Sequence, residues 1–164
     1  MPGAKDFQGR LLISLVDGAN LGEVKDLCLN PEITAVVGIH IGKEGLINRK
    51  SLTLPIDKVR LFGKDAWLID GDDDTVTRED SPAPLAGNFK GREIQTAGGT
   101  RIGIIQDVVV DDKQQVVGFS LSKVLAQGPL SESKLVLRSA ITSLSNGDLP
   151  LIADLDLVEK QHSD

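Results

Sequence analysis

Four blocks of residues recur in the same order in the two halves of this chain, and such a repeat constrains the fold more tightly than any single residue, because each copy has to be built the same way. Gly9-Arg10 returns as Gly91-Arg92, and Leu21-Gly22-Glu23-Val24-Lys25-Asp26 returns as Ile102-Gly103-Ile104-Ile105-Gln106-Asp107. Ala35-Val36-Val37-Gly38-Ile39 returns as Val116-Val117-Gly118-Phe119, and Gly63 to Ile69 aligns with Asn146 to Ile152. The offsets are 82, 81, 80 and 83 residues, drifting by single positions at turns, where insertions are tolerated. The 164 residues therefore divide into a first domain over 5–71, a linker over 72–86, a second domain over 87–158 and a disordered tail over 159–164. The linker reading rests on the polar, proline-containing run Asp70 to Pro84.

Within each copy, apolar residues come in short Val-, Ile- and Leu-rich runs bounded by turn residues, which is the pattern of strands. Leu11 to Val16, Leu21 to Leu29, Thr34 to Ile41, Ser51 to Leu54 and Ala66 to Ile69 are the predicted strands of the first copy. Ile56 to Leu61 reads as a short turn or half-strand, and Leu155 to Lys160 as a helical turn or a strand end. Successive strands joined by turns this tight are expected to be antiparallel. The fold class is all-β: two tandem small antiparallel barrels.

The glycine and aliphatic pattern resembles the PRC-barrel family. It is carried by Gly9, Gly18, Leu21-Gly22, Val24, Asp26 and Val36-Val37-Gly38, and again by Gly91, Gly98, Ile102-Gly103, Ile105, Asp107 and Val116-Val117-Gly118. The resemblance covers about residues 9–70 and 91–154, and it implies a small, strongly bent barrel that acts by protein contact rather than catalysis. Barrels of this kind are found in the H subunit of the purple bacterial photosynthetic reaction centre and at the C-terminus of a ribosome-maturation factor. This chain has neither the membrane helix of the first nor the separate N-terminal domain of the second, so neither function transfers.

Read for themselves, Gly22, Gly38, Gly103 and Gly118 are positions where a strand bends or another approaches closely. Asp26 and Asp107 are expected to accept hydrogen bonds from backbone N–H groups of a neighbouring turn. No His, Ser or Lys accompanies them in both copies, so no catalytic residue is assigned. Asp70-Gly71-Asp72-Asp73-Asp74 supplies alternate carboxylates like a calcium loop, but Thr75 stands where glycine is needed and Ser81 where the closing Glu should be; no metal and no cofactor is assigned. Gly98-Gly99-Thr100 is a hairpin turn rather than a phosphate loop, since no helix follows it. Cys28 is expected to be a core thiol, His40 a strand residue with an exposed edge, and Trp67 a core residue or a seal between the copies.

Forty per cent apolar residues allow packed cores, yet only one Trp, four Phe and no Tyr leave little for base stacking, and a net charge of −6 opposes direct binding of nucleic acid. No run approaches the ~20 apolar residues that span a bilayer, and no secretory signal is visible, which places the chain in the cytoplasm by default. The expected function is a non-enzymatic interaction module whose partner is another protein or a second copy, as a homodimer. Its partner-binding loop is placed at Gln127, Gly128 and Pro129, where the second copy departs from the first. Two alternatives follow from the family: a peripheral regulatory subunit of a membrane electron-transfer assembly, and a ribosome or RNA-processing assembly factor.

Overall fold

The computed structural model describes residues 2–42, 51–79, 83–126 and 134–161. It is nearly all β and divides into two compact units. The first unit comprises Ala4–Ala86; the second comprises Gly87–Asp164 together with Met1–Gly3.

The first unit opens with a 3₁₀ turn, η1 (Ala4–Phe7), followed by β1 (Leu11–Ser14), β2 (Asn20–Leu29), β3 (Val36–Gly42) and β4 (Ser51–Pro55). A second 3₁₀ turn, η2 (Ile56–Lys58), leads into β5 (Val59–Phe62) and β6 (Ala66–Ile69); η3 (Asp73–Thr75) and β7 (Thr77–Glu79) complete it. The sheet order is β5-β6-β1-β2-β3-β4-β7. The second unit repeats this plan with η4 (Ala86–Phe89), β8 (Glu93–Thr96), β9 (Arg101–Val110), β10 (Val116–Val124), β11 (Leu135–Leu137), η5 (Arg138–Ala140), β12 (Ile141–Ser143) and β13 (Leu151–Ala153), in the order β11-β10-β9-β8-β13-β12.

Chain length forces each sheet to curl. In a flat sheet β5 and β4 would lie five strand spacings apart, roughly 24 Å, yet η2 joins them with three residues, which span about 6–8 Å at 3₁₀ rise. The same holds for β11 and β12 across η5. The curl gives each sheet an inner face, and the alternating burial of the strands follows it: Leu12, Leu27, Ile39, Leu54, Trp67 and Ile69 are fully enclosed in the first unit, and Ile94, Ile102, Val108, Phe119, Val136 and Leu151 in the second. Each such side chain contributes on the order of 1.5–3 kcal/mol through removal from water.

Four expectations are corrected. The antiparallel rule fails at closure, where β1 pairs parallel with β6 and β8 pairs parallel with β13. The cause is η2, and η5 in the second unit: each re-aims the chain without reversing it, so β4 and β5 run the same way and the next strand ends alongside the first. The last repeat block also shifts by one residue. Leu12 faces Trp67 and Ile94 faces Leu151, so Trp67 corresponds to Leu151 at an offset of 84, not to Pro150 at 83.

The stretch 72–86 is not a bare linker. β7 pairs with β4, Pro84 accepts a hydrogen bond from the Leu29 N–H (2.7 Å), and Leu85 bridges to Cys28. β7 is a polar edge strand held through its backbone, so hydrophobic patterning does not betray it. The second unit has the matching addition from elsewhere in the chain: the Val110 N–H donates to Pro2 (3.1 Å), and Gly3 bridges to Val109.

Finally, the expected tail begins inside a helix, α1 (Leu155–Gln161). Asp154 Oδ1 accepts from the N–H groups of Asp156 (2.9 Å) and Leu157 (3.3 Å), which caps the helix, and Val158 is buried. Residues 162–164 lie outside the described residues.

The corrected offset has a measurable consequence. Leu151→Ala is expected to lower the free energy of urea unfolding by about 2–5 kcal/mol, whereas Pro150→Ala costs less than about 1 kcal/mol; the reverse order would restore the 83-residue alignment.

Candidate functional site

The motif glycines sit where strands crowd. Gly22 has φ +125°, and a Cβ there would lie 2.5 Å from Ile41 Cγ2 and 2.7 Å from the Gly42 carbonyl oxygen. At Gly118 a Cβ would overlap the Val136 carbonyl oxygen and lie 2.8 Å from Leu137 Cα. Gly103 faces the Lys123 carbonyl oxygen at 2.7 Å, and Gly38 faces that of Leu54 at 3.0 Å. All four thus stand against a neighbouring strand's backbone, which a strongly curled sheet brings close.

Asp26 and Asp107 occupy matching sites on β2 and β9. Each Oδ1 accepts from the N–H of its own successor, Leu27 or Val108, at 2.8 Å. The Asp107 carboxylate also lies against Gly3, whose missing Cβ leaves it room. Gln127, Gly128 and Pro129 fall outside the described residues.

The Gly-Arg repeat has a structural purpose that spacing alone did not reveal. Arg10 lies over the Phe7 ring (4.9 Å) and donates from Nη1 to the Gly63 carbonyl (3.3 Å); Arg92 lies over Phe89 (5.1 Å) and donates from Nη2 to the Leu144 and Leu149 carbonyls (both 2.8 Å). Each arginine therefore ties the first turn of its unit to the hairpin before the closing strand. The signal was the longer repeat Phe-x-Gly-Arg, at Phe7 to Arg10 and Phe89 to Arg92.

Groups with reactive potential are dispersed. Cys28 is buried and lines a shallow groove of about 160 Å³ with Val37, Gly38, Thr53, Pro55 and Thr77. Among the described residues no group of three or more His, Cys, Asp or Glu converges as a metal site. In the acidic run, Asp72 Oδ1 caps η3 by accepting from the Asp74 N–H (3.0 Å), while Asp70 pairs with Arg60 at 3.8 Å. Trp67 is a core residue of the first unit, held between Phe7 (5.5 Å) and Phe62 (4.8 Å).

His40 on β3 stands opposite Asp26, and its Nδ1 is buried with no hydrogen-bond partner among the described residues. Burial pushes the imidazole below its ordinary pKa, helped by Lys25 and opposed by Asp26. The ring is therefore favoured in its neutral form by the fold.

The two units differ on their outer faces. In the first, the side chains of β5, β6 and β1 that point away from the core form a continuous apolar row: Leu61 pairs with Leu68, and Leu68 with Ile13. Leu11 on β1 and Leu15 just beyond its end are 41% and 51% exposed, and Leu61 is 56% exposed. The corresponding positions of the second unit are Ser143, Ile152, Gln95, Glu93 and Ala97. There Glu93 accepts from Arg101 Nε (2.6 Å) and Gln95 Nε2 (3.1 Å), a polar cover on an equivalent surface. The Arg101 guanidinium holds the Glu93 carboxyl below the usual carboxylate range.

Among known families, the PRC-barrel domain matches residues 85–137, a stretch running from the turn η4 through β8, β9 and β10 to β11. No curated protein matches the chain. Among the described residues no helix is long and apolar enough to cross a membrane.

Two expectations follow. Gly118→Ala should destabilise the chain by about 1–3 kcal/mol in urea unfolding, since backbone must shift, while Gly98→Ala, with only Thr96 Oγ1 at 3.9 Å, should leave the midpoint unchanged. His40 gives the second: its folded pKa lies below the unfolded value, so its contribution to stability is fully present above about pH 6.5 and is lost as pH falls from there through the lower folded value. His40→Gln should remove that part of the stability difference between about pH 7.5 and about pH 5.5; an unchanged difference would exclude His40 as its source.

Proposed function

We propose that the chain is a non-enzymatic protein-interaction module of two PRC-type barrels, docking through the outer face of β5, β6 and β1. PRC-barrel domains are protein-interaction modules, and the family match falls on the second unit. The repeat extends the same reading to the first. The observation that carries the docking surface is the contrast between equivalent faces: the same barrel plan takes a polar outer surface with Glu93 and Gln95, so the strand geometry does not require Leu11, Ile13, Leu15, Leu61 and Leu68. A contiguous exposed apolar surface on one copy of a repeat is the mark of an interaction site.

The test is capture by the tagged full chain of stoichiometric protein from native lysate supplemented with untagged chain. Leu61→Asp should reduce recovery at least tenfold, and Ser143→Asp on the equivalent position of the second unit should leave it unchanged. Equal recovery by both variants would remove the face from the function.

A further inference from the structure

The apolar face ends at a sheet edge, and the chemistry of that edge points to one occupant. β5 is the outermost strand of the first unit's sheet, with β6 on one side and no strand on the other among the described residues. Val59–Phe62 contains no proline and no buried side chain, and its pairing with β6 shifts register between Val59 and Leu61. Leu61, the most exposed member of the apolar row, lies on this edge strand itself, so a strand added beside β5 would continue the row rather than end it.

The charges at the edge are balanced. Arg60 on β5 and Asp70 just beyond β6 sit 3.8 Å apart with side chains 71% and 62% exposed. A partner of strong opposite charge would find no net charge to match here. A second copy of the same chain would: across a two-fold axis Arg60 of one copy meets Asp70 of the other, twice over. The contact would neutralise itself locally despite the net charge of −6 on each chain. Isologous contacts of this kind place antiparallel edge strands against each other.

We infer that the face formed by Leu11, Ile13, Leu15, Leu61 and Leu68 is an interface with a second copy of this chain, with β5 pairing antiparallel to its own counterpart and Arg60 meeting Asp70 across the axis. This rests on the docking reading above and names its partner. The equivalent edge of the second unit does not qualify: β12 has three residues, its outward Ser143 is polar, and Thr142 Oγ1 donates to the Ile152 carbonyl.

Sedimentation equilibrium of the full chain from about 1 µM to about 100 µM tests this, the range in which a modest interface would be half-formed. The expected result is a reversible dimer whose dissociation constant rises at least tenfold in Leu61→Asp. The Arg60→Asp chain and the Asp70→Arg chain should each be monomeric alone and form a heterodimer when mixed, because only the mixture restores both opposite-charge contacts. All three positions are more than half exposed, and circular dichroism of each variant checks that the fold is kept. A dimer indifferent to Leu61→Asp, or single charge variants that mixing does not rescue, would overturn the proposal by placing any dimer contact elsewhere. A wild-type chain monomeric throughout would overturn it too. In that case, loss of lysate capture in Leu61→Asp would leave the docking reading standing with a different protein as partner, and retained capture would end both.

Discussion

In each unit the chain passes between two strands through three residues, although the hydrogen-bonded order sets those strands at or near opposite ends of the sheet. That mismatch between a connection of several ångströms and a flat-sheet separation of roughly 24 Å allows only a curled sheet. The parallel pairing at closure has the same origin, because a 3₁₀ turn that bends the chain without reversing it leaves the last strand running with the first.

Strong curvature brings backbones close on the inner side, and the motif glycines stand at those contacts. Gly22 and Gly118 are two forms of one solution: the first combines a left-handed backbone with crowding from β3, the second has only the crowding from β11. The arginines of the Phe-x-Gly-Arg repeat stabilise the same geometry from outside by joining the entry turn to the closing hairpin, a link between residues more than fifty positions apart. The repeat is thus a record of closure.

Outer faces are under no such constraint. Once curvature, core and closing turns are satisfied, the residues that point away from the core are free to differ between copies, and they do. Glu93, Gln95 and Arg101 give one surface its own hydrogen bonds, while Leu61, Leu68 and Ile13 make the other apolar. The two units supply a comparison that one alone would lack, because equivalent places in the two sheet orders carry different residues.

Much of the fold was legible in the sequence, since period-two burial and turn residues are local signals: the strand Ala66–Ile69 and the long strands through Gly22 and Gly103 could be read directly. Edge strand β7 could not, because Thr77-Arg78-Glu79 is held by backbone pairing that polar side chains do not advertise. The apolar face escaped for a related reason: Leu11, Leu61 and Leu68 each look like core residues in their own strands, and only the register that sets Leu61 beside Leu68 beside Ile13 shows them sharing an outer face. The sequence by itself determined an all-β chain with recurring blocks of residues and glycines at its bends, because residue periodicity and recurrence are properties of the chain alone. Tertiary structure alone decided the direction of the closing strands, the addition of Pro2 and Gly3 to the second unit, and which aliphatic side chains face water, because all three depend on pairing between segments far apart in sequence.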